Sequence, residues 1–131
     1  YDGSPDRIAG AMIIGSFHHG FARAKLNLPG RTRPLEIEFV LDTGFDGELS
    51  LPSHLAQLID SEIAGTQSVQ LADGRIASSP YYAIEIDWMD ELRLTEVLLL
   101  EGNPLLGIEL LKGHLLQIEI SEGGEVSAEP L

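Results

Sequence analysis

The segment Phe39–Gly47, FVLDTGFDG, decides how the rest of the chain is interpreted. Apolar residues lead directly into Asp42, and Thr43 and Gly44 follow it. An aspartate behind an apolar run is costly to bury without a partner, whereas a small hydroxyl residue and a glycine allow a tight turn whose N–H groups face the carboxylate. Taken alone, the triplet more often marks an ordinary turn in which Asp42 caps its own backbone. The residues around the triplet therefore decide whether it is a plain turn or part of a functional site.

Alternating apolar and polar residues lie on the N-terminal side of this segment. Residues 22–28 alternate, Pro29-Gly30 provides a turn, and residues 35–41 alternate again. This pattern predicts a hairpin whose second strand ends at Asp42. Beyond the segment, Pro52-Ser53 precedes a short apolar face and predicts one or two helical turns.

Further strand signals follow at short intervals to the end of the chain. The predicted strands are Val69–Leu71 and Ile76–Ser78 around an Asp73-Gly74 turn, Ala83–Trp88 and Leu92–Leu100, and Leu115–Ile120 and Val126–Leu131. Between the last two pairs, Leu105-Leu106-Gly107 leads into a predicted short helix at Ile108–Lys112 that Gly113 can end. Strands at this spacing predict an all-β barrel or sandwich.

The length and composition favour one domain. A chain of 131 residues with 44% hydrophobic content can build one packed core. We expect a single domain over residues 1–131, with its core at about residues 8–120 and a C-terminal strand or hairpin at residues 115–131. The chain has no cysteine, which excludes disulfides, thiolate zinc sites and a cysteine nucleophile.

The charge narrows the range of partners. There are 21 acidic and 8 basic residues, giving a formal net charge of −13. Such a field repels phosphate backbones and anionic lipids, so we expect neither nucleic acid nor membrane as a partner. With no apolar run long enough to span a bilayer, the expected location is cytoplasmic. Because the chain begins at Tyr1 rather than Met, a longer precursor with a targeting segment is an open alternative.

Together these segments closely resemble the retropepsin-like aspartic protease family, including its small bacterial single-domain members. That family has an apolar strand entering Asp-Thr-Gly, then a flap hairpin, then two large apolar residues and a glycine that open a short helix. The likeness extends from about Phe21 to Ile120. It implies a closed, β-barrel-like acid protease fold with short helices and one lobe per chain.

The resemblance also implies roles for individual residues. Asp42 would be the catalytic carboxylate, Thr43 would hydrogen-bond across a dimer axis, and Gly44 would let the substrate backbone approach closely. For Thr43 the alternative is a local turn hydroxyl. The residues that would contact substrate are Phe45, Asp46, Ala72, Asp73, Gly74 and Leu105. Phe45 and Asp46 either line the cleft or merely close the turn, and Asp73-Gly74 is equally typical of a plain surface turn.

A single Asp-Thr-Gly requires a second copy of the chain. Peptide hydrolysis by carboxylates needs one that accepts a proton from water and another, protonated, that polarises the scissile carbonyl. No second Asp-Thr-Gly or Asp-Ser-Gly occurs in the sequence. We therefore expect a homodimer acting on a peptide or protein, without cofactor or metal. Residues 115–120 and 126–131 either pair across the two-fold axis or form a hairpin within one chain.

Two other functions remain open at this stage. A dimer of the same fold could bind or regulate without turnover, because fold does not guarantee chemistry. A glycosidase could use the carboxylates of Asp87, Asp90 or Glu91, although nothing in their spacing favours it. Metal catalysis finds little support, because the spacing of the four histidines does not favour a shared ligand face.

Overall fold

The computed structural model describes residues 12–70 and 73–131. These residues form strands and two single-turn helices, which confirms the all-β prediction. In chain order the elements are β1 (Ile13–His18), β2 (Phe21–Leu28), β3 (Leu35–Asp42), β4 (Leu49–Leu51), α1 (Ser53–Ala56), β5 (Ile63–Gln70), β6 (Ile76–Trp88), β7 (Glu91–Leu99), β8 (Leu105–Gly107), α2 (Ile108–Leu111), β9 (His114–Ile118) and β10 (Gly124–Pro130).

The strands form one sheet in the order β5-β6-β7-β4-β8-β3-β2-β1-β10-β9. Most neighbours are antiparallel, but β3 pairs with β8 and β4 pairs with β7 in parallel. Within the described residues this order has two ends, β5 and β9, so hydrogen bonds do not close the sheet. The predicted closure into a barrel is therefore not confirmed.

The β2–β3 hairpin places one side of each strand in the core. Along β2 the even-numbered residues from Ala22 to Leu28 are buried, as the alternation predicted. On β3, Phe39 and Val40 are both buried although they point to opposite faces. Strand β3 is therefore covered on both sides as it approaches Asp42.

Strand β6 is longer than the sequence indicated. Ile76–Ser78 and Ala83–Trp88 were expected as two strands, whereas β6 is continuous over 13 residues. Pro80 lies just past the end of the β6–β7 ladder, which begins at Tyr81. Proline has no N–H group to donate, and it is tolerated at residue 80 because β7 has no residue paired with it there.

The C-terminal strands form a hairpin within the chain. Strand β9 pairs with β10, and β10 also pairs with β1. Of the two alternatives left open for residues 115–120 and 126–131, the structure has the hairpin within the chain, and both sides of β10 are occupied. Strand β9 is an end of the sheet, so residues 115–118 have a neighbouring strand on one side only within residues 12–70 and 73–131. Strands β1, β4 and β8 were not predicted.

Both predicted helices are present but short. Helix α1 begins at Ser53, and α2 begins directly after Gly107. Gly113, which follows α2, has a φ of 78°, the left-handed conformation expected of a glycine after a helix. Among the described residues, neither helix has the length and apolarity that crossing a membrane would require.

Candidate functional site

Asp42 is the last residue of β3, an inner strand of the sheet. It pairs with Gly107 in the parallel β3–β8 ladder, and Val40 N–H donates to Pro104 O at 2.8 Å. Leu106, the residue before Gly107, is fully buried. Because β2 and β8 hold β3 from both sides, the backbone of Asp42 has a fixed position in the sheet.

The turn after β3 orients the carboxylate of Asp42. Gly44 N–H donates to Asp42 Oδ1 at 2.9 Å, and Phe45 N–H donates to the Asp42 carbonyl at 3.1 Å. A Cβ atom on Gly44 would lie 3.3 Å from Asp42 Oδ1, so a glycine keeps this approach uncrowded. Asp42 is half-buried, whereas Thr43 and Gly44 are exposed. The turn is thus the self-capping aspartate arrangement, presented at the surface.

The backbone beyond the turn is bonded to the start of α2. Phe45 O accepts a hydrogen bond from Ile108 N–H at 2.9 Å, and Glu48 O accepts one from Gly107 N–H at 2.8 Å. A Cβ atom on Gly107 would lie 2.2 Å from Gly47 O. The absence of a side chain at residue 107 is what lets these two segments approach so closely.

The β5–β6 hairpin lies beside this turn and has the place of the predicted flap. Gln70 pairs with Ile76 at the last described position before the tip. At the tip, Asp73 Oδ1 accepts Arg75 N–H at 3.0 Å and Asp73 Oδ2 accepts Arg75 Nε–H at 2.6 Å. Hydrogen bonds from the Arg75 backbone, and then from its side chain, hold the pKa of Asp73 below its usual value. Ala72 lies outside the described residues.

A cavity of about 130 Å³ joins the turn to the hairpin. It brings together four of the predicted site residues and adds three that the sequence did not indicate. Its lining residues are Asp42, Gly44, Phe45, Val69, Gln70, Leu100 and Leu105. Thr43, Asp73 and Gly74 are not among them. Val69 lies in the predicted strand just before the Asp73-Gly74 turn. That position predicted a hairpin, but it did not predict that the hairpin approaches Asp42.

A second, larger cavity of about 410 Å³ adjoins the first at Val69 and is lined by Asp46. Carboxylates dominate its walls: Asp46, Glu48, Glu96 and Glu109. Glu48 Oε2 accepts from Arg93 at 2.9 Å and Glu48 Oε1 accepts from Glu96 N–H at 2.8 Å, which ties the segment after the turn to β7. Glu48 was not singled out from the sequence.

The other carboxylates considered from the sequence lie elsewhere. Asp87 Oδ1 accepts Asp90 N–H at 3.1 Å within the β6–β7 turn. Met89 and Asp90 have φ values of 54° and 68°, so this segment is a tight turn stabilised by Asp87. None of Asp87, Asp90 and Glu91 lines the cavity that contains Asp42. In residues 12–70 and 73–131, no three His, Cys, Asp or Glu side chains cluster as metal ligands would.

Comparison with solved structures supports the fold. The chain is similar to a retropepsin-like aspartic protease from Rickettsia conorii, with a TM-score of 0.51 and 16% sequence identity over 91% of this chain and 90% of that chain. No protein-family model matches the sequence, and no curated protein matches it either. At this identity the likeness concerns architecture alone. The retropepsin-like resemblance seen in the sequence is therefore confirmed at the level of the fold.

Proposed function

We propose that this protein is an aspartic endopeptidase whose catalytic pair consists of Asp42 from each of two copies. One observation carries the proposal: a carboxylate oriented by Gly44 N–H stands at the end of an inner strand and opens into a cavity beneath a hairpin. The similarity of the fold to a retropepsin-like protease agrees with this assignment.

The chemistry requires two carboxylates that share one proton. Two such groups a few ångströms apart cannot both ionise cheaply, so one remains protonated over a range of pH. The ionised member takes a proton from water, whose oxygen adds to the scissile carbonyl carbon, while the protonated member gives its proton to the carbonyl oxygen. The resulting tetrahedral diol collapses with proton transfer to nitrogen, and the C–N bond breaks.

The second carboxylate has to come from outside the chain. Among the described residues that line its cavity, Asp42 is the only acidic one. A two-fold axis beside the Asp42 turn supplies an identical group by symmetry. Among the described strands β9 has a free edge for pairing; Leu115 and Ile118 on this strand are exposed at 43% and 36%, and Ile120 just beyond it is exposed at 78%. An exposed, apolar strand edge is a surface that a second copy can cover.

Replacing Asp42 with asparagine tests the proposal. Asp42→Asn keeps an oxygen that can accept Gly44 N–H but cannot act as an acid or a base. With a peptide library between about pH 4 and 7, we expect cleavage to fall by about 10²- to 10⁴-fold. Asp60→Asn, at an exposed aspartate outside both cavities, is the matched control. Equal cleavage by wild type and Asp42→Asn, or none by wild type, contradicts the proposal.

One observation favours a second function, a dimeric module that binds peptides without cleaving them. At about 130 Å³ the cavity beside Asp42 is smaller than the roughly 300 Å³ at which ligand pockets usually begin. A hairpin that stays in this position would leave no room for an extended chain over Asp42. Saturable binding of a peptide that wild-type protein never cleaves, unchanged in Asp42→Asn, would establish this alternative.

A further inference from the structure

Phe45 belongs to a small hydrophobic cluster separate from the main core. The sequence left open whether Phe45 lines a cleft or closes the turn, and the structure shows that its side chain is only 6% exposed. It is buried together with Val69 of the hairpin and Leu98 of β7, with four partly buried side chains packed around them: Ala77, Tyr81, Leu100 and Leu105. This cluster is where the Asp42 turn, the hairpin and the β7–β8 connection meet.

The backbone of Phe45 fixes one side of this meeting point. Its N–H donates to the Asp42 carbonyl at 3.1 Å, and its carbonyl accepts Ile108 N–H at 2.9 Å. The ring lies directly over two glycines: a Cβ atom on Gly47 or Gly107 would come within 2.6 Å of it. The ring therefore has little freedom to move unless the Asp42 turn moves with it.

Val69 fixes the other side. It is 4% exposed and pairs with Ala77 in the β5–β6 ladder, so it is part of the stem of the hairpin. Val69 and Phe45 also line the same small cavity as Asp42. Lifting the hairpin away from Asp42 consequently pulls Val69 out of the cluster that holds Phe45.

We propose that Phe45 is a positioning residue that couples the hairpin to the Asp42 turn. With the hairpin down, Val69 completes the packing around the Phe45 ring, and the ring holds the turn on Gly47 and Gly107. With the hairpin up, the ring loses that contact and the turn loosens. The consequence for catalysis rests on the proposed function, whereas the mechanical coupling does not.

Amide hydrogen exchange tests the coupling without reference to activity. In Phe45→Ala we expect exchange to accelerate by about tenfold or more at residue 45, whose N–H is bonded to Asp42, and at residues 68–70 of the hairpin. Leu26→Ala, in the main core at 4% exposure, is the control for general loss of packing. In this variant the exchange rates of these amides should change no more than those of the other amides in the sheet. Unchanged exchange at both places in Phe45→Ala, or the same pattern in Leu26→Ala, overturns the proposal.

A milder pair of variants guards against unfolding. If Phe45→Ala does not fold, Phe45→Leu should show the same pattern to a smaller extent, and a uniform response across the sheet refutes the coupling. Val69→Ala should reproduce the acceleration at residue 45 from the hairpin side. In the double variant Phe45→Leu/Val69→Ala the two effects should be less than additive because they break one contact. Full additivity contradicts direct coupling.

Activity provides a separate result. If the protein cleaves peptides, Phe45→Leu should lower kcat by about tenfold to a hundredfold with a smaller change in KM, because misplacing a catalytic group by about 1 Å costs that much. A normal kcat in a Phe45→Leu protein with accelerated exchange rejects the positioning role while leaving the coupling in place. Absence of activity in wild type counts against the proposed function and leaves the exchange result untouched.

Discussion

Asp42 and Gly107 are direct partners in the parallel ladder between β3 and β8. Asp42 ends β3 and Gly107 ends β8, so each holds the other in position. The segments that follow them are also hydrogen-bonded to each other, through Ile108 N–H and Phe45 O. A side chain at residue 107 would break this arrangement from within, since its Cβ would meet Gly47 O at 2.2 Å and Phe45 O at 2.8 Å.

We predict that Gly107→Ala destabilises the protein far more than Gly44→Ala does. At residue 107 the added methyl group meets backbone, which has to shift, and overpacking of this kind costs about 1–3 kcal/mol. At residue 44 the nearest atom is the Asp42 carboxylate oxygen at 3.3 Å, which can give by a few tenths of an ångström. Urea unfolding followed by Trp88 fluorescence measures both. Equal unfolding midpoints for the two variants would show that the close approach at Gly107 is not a constraint.

We predict that lysine at the β9 edge separates the proposed dimer. Ile118 is partly exposed on that edge, and a two-fold axis would bring the two substituted residues into the same interface. Ile118→Lys should raise the dimer Kd by at least about tenfold because an unpaired charge would be buried there. Analytical ultracentrifugation over a range of concentrations measures this Kd.

The control for the dimer prediction is Leu94→Lys. Leu94 is 67% exposed on β7, away from β9 in the order of the sheet, and receives the same added charge. Both substitutions also make the net charge of −13 less negative by one, so general repulsion between copies decreases in each. Dissociation in both variants, or in neither, would place the interface elsewhere.

We predict that Arg75 depresses the pKa of Asp73 mainly through its backbone. The backbone N–H of Arg75 is the larger cause of the lowered pKa and its side chain the smaller one. Arg75→Gln keeps the first and removes the ion pair, so the pKa of Asp73 should rise only part of the way to its usual value. An NMR titration of the Asp73 carboxyl carbon measures it, with Lys25→Gln as a remote charge control.

The sign of the pH effect follows from that direction. Because the pKa of Asp73 is lower in the folded hairpin, its bonds to Arg75 favour the folded tip at pH values above the usual aspartate pKa. This contribution is lost as the pH falls through the lowered pKa. Hydrogen exchange at Arg75 N–H should therefore lose protection only in strongly acidic solution, and loss near neutral pH would contradict the assignment.

The sequence predicted the strands and turns correctly where the local residue pattern matches the tertiary structure. The alternation over residues 22–28 and 35–41 predicted β2 and β3, and the apolar run before Asp42 predicted a strand ending in a turn. The Asp73-Gly74 pair predicted the hairpin, whose tip Gly74 has a φ of 88°. Each of these signals depends on neighbours in the chain, which is why it can be read without a structure.

The contacts that depend on distant residues were not visible in the sequence. Strand β4 has only three residues and is held by β7 and β8, both far along the chain. The burial of Phe45 depends on Val69 and Leu98, and nothing near residue 45 indicates either partner. The continuity of β6 through Pro80 depends on where β7 ends. Such features follow from packing between elements rather than from periodicity.

The length of β6 has a mechanical consequence for the hairpin. This strand is clamped by β7 over Tyr81–Trp88, and Ser79 Oγ donates to Leu99 O at 2.9 Å as the last brace. Beyond it, β5 is the only strand beside residues 76–78 in the described part of the chain, and Ala77 still packs against the cluster of Phe45, Val69 and Leu98. The part of the hairpin beyond Ala77 is thus a cantilever, and the stiffness of a cantilever decreases steeply with its free length. Adding one residue pair to the hairpin should soften it more than most substitutions at its tip.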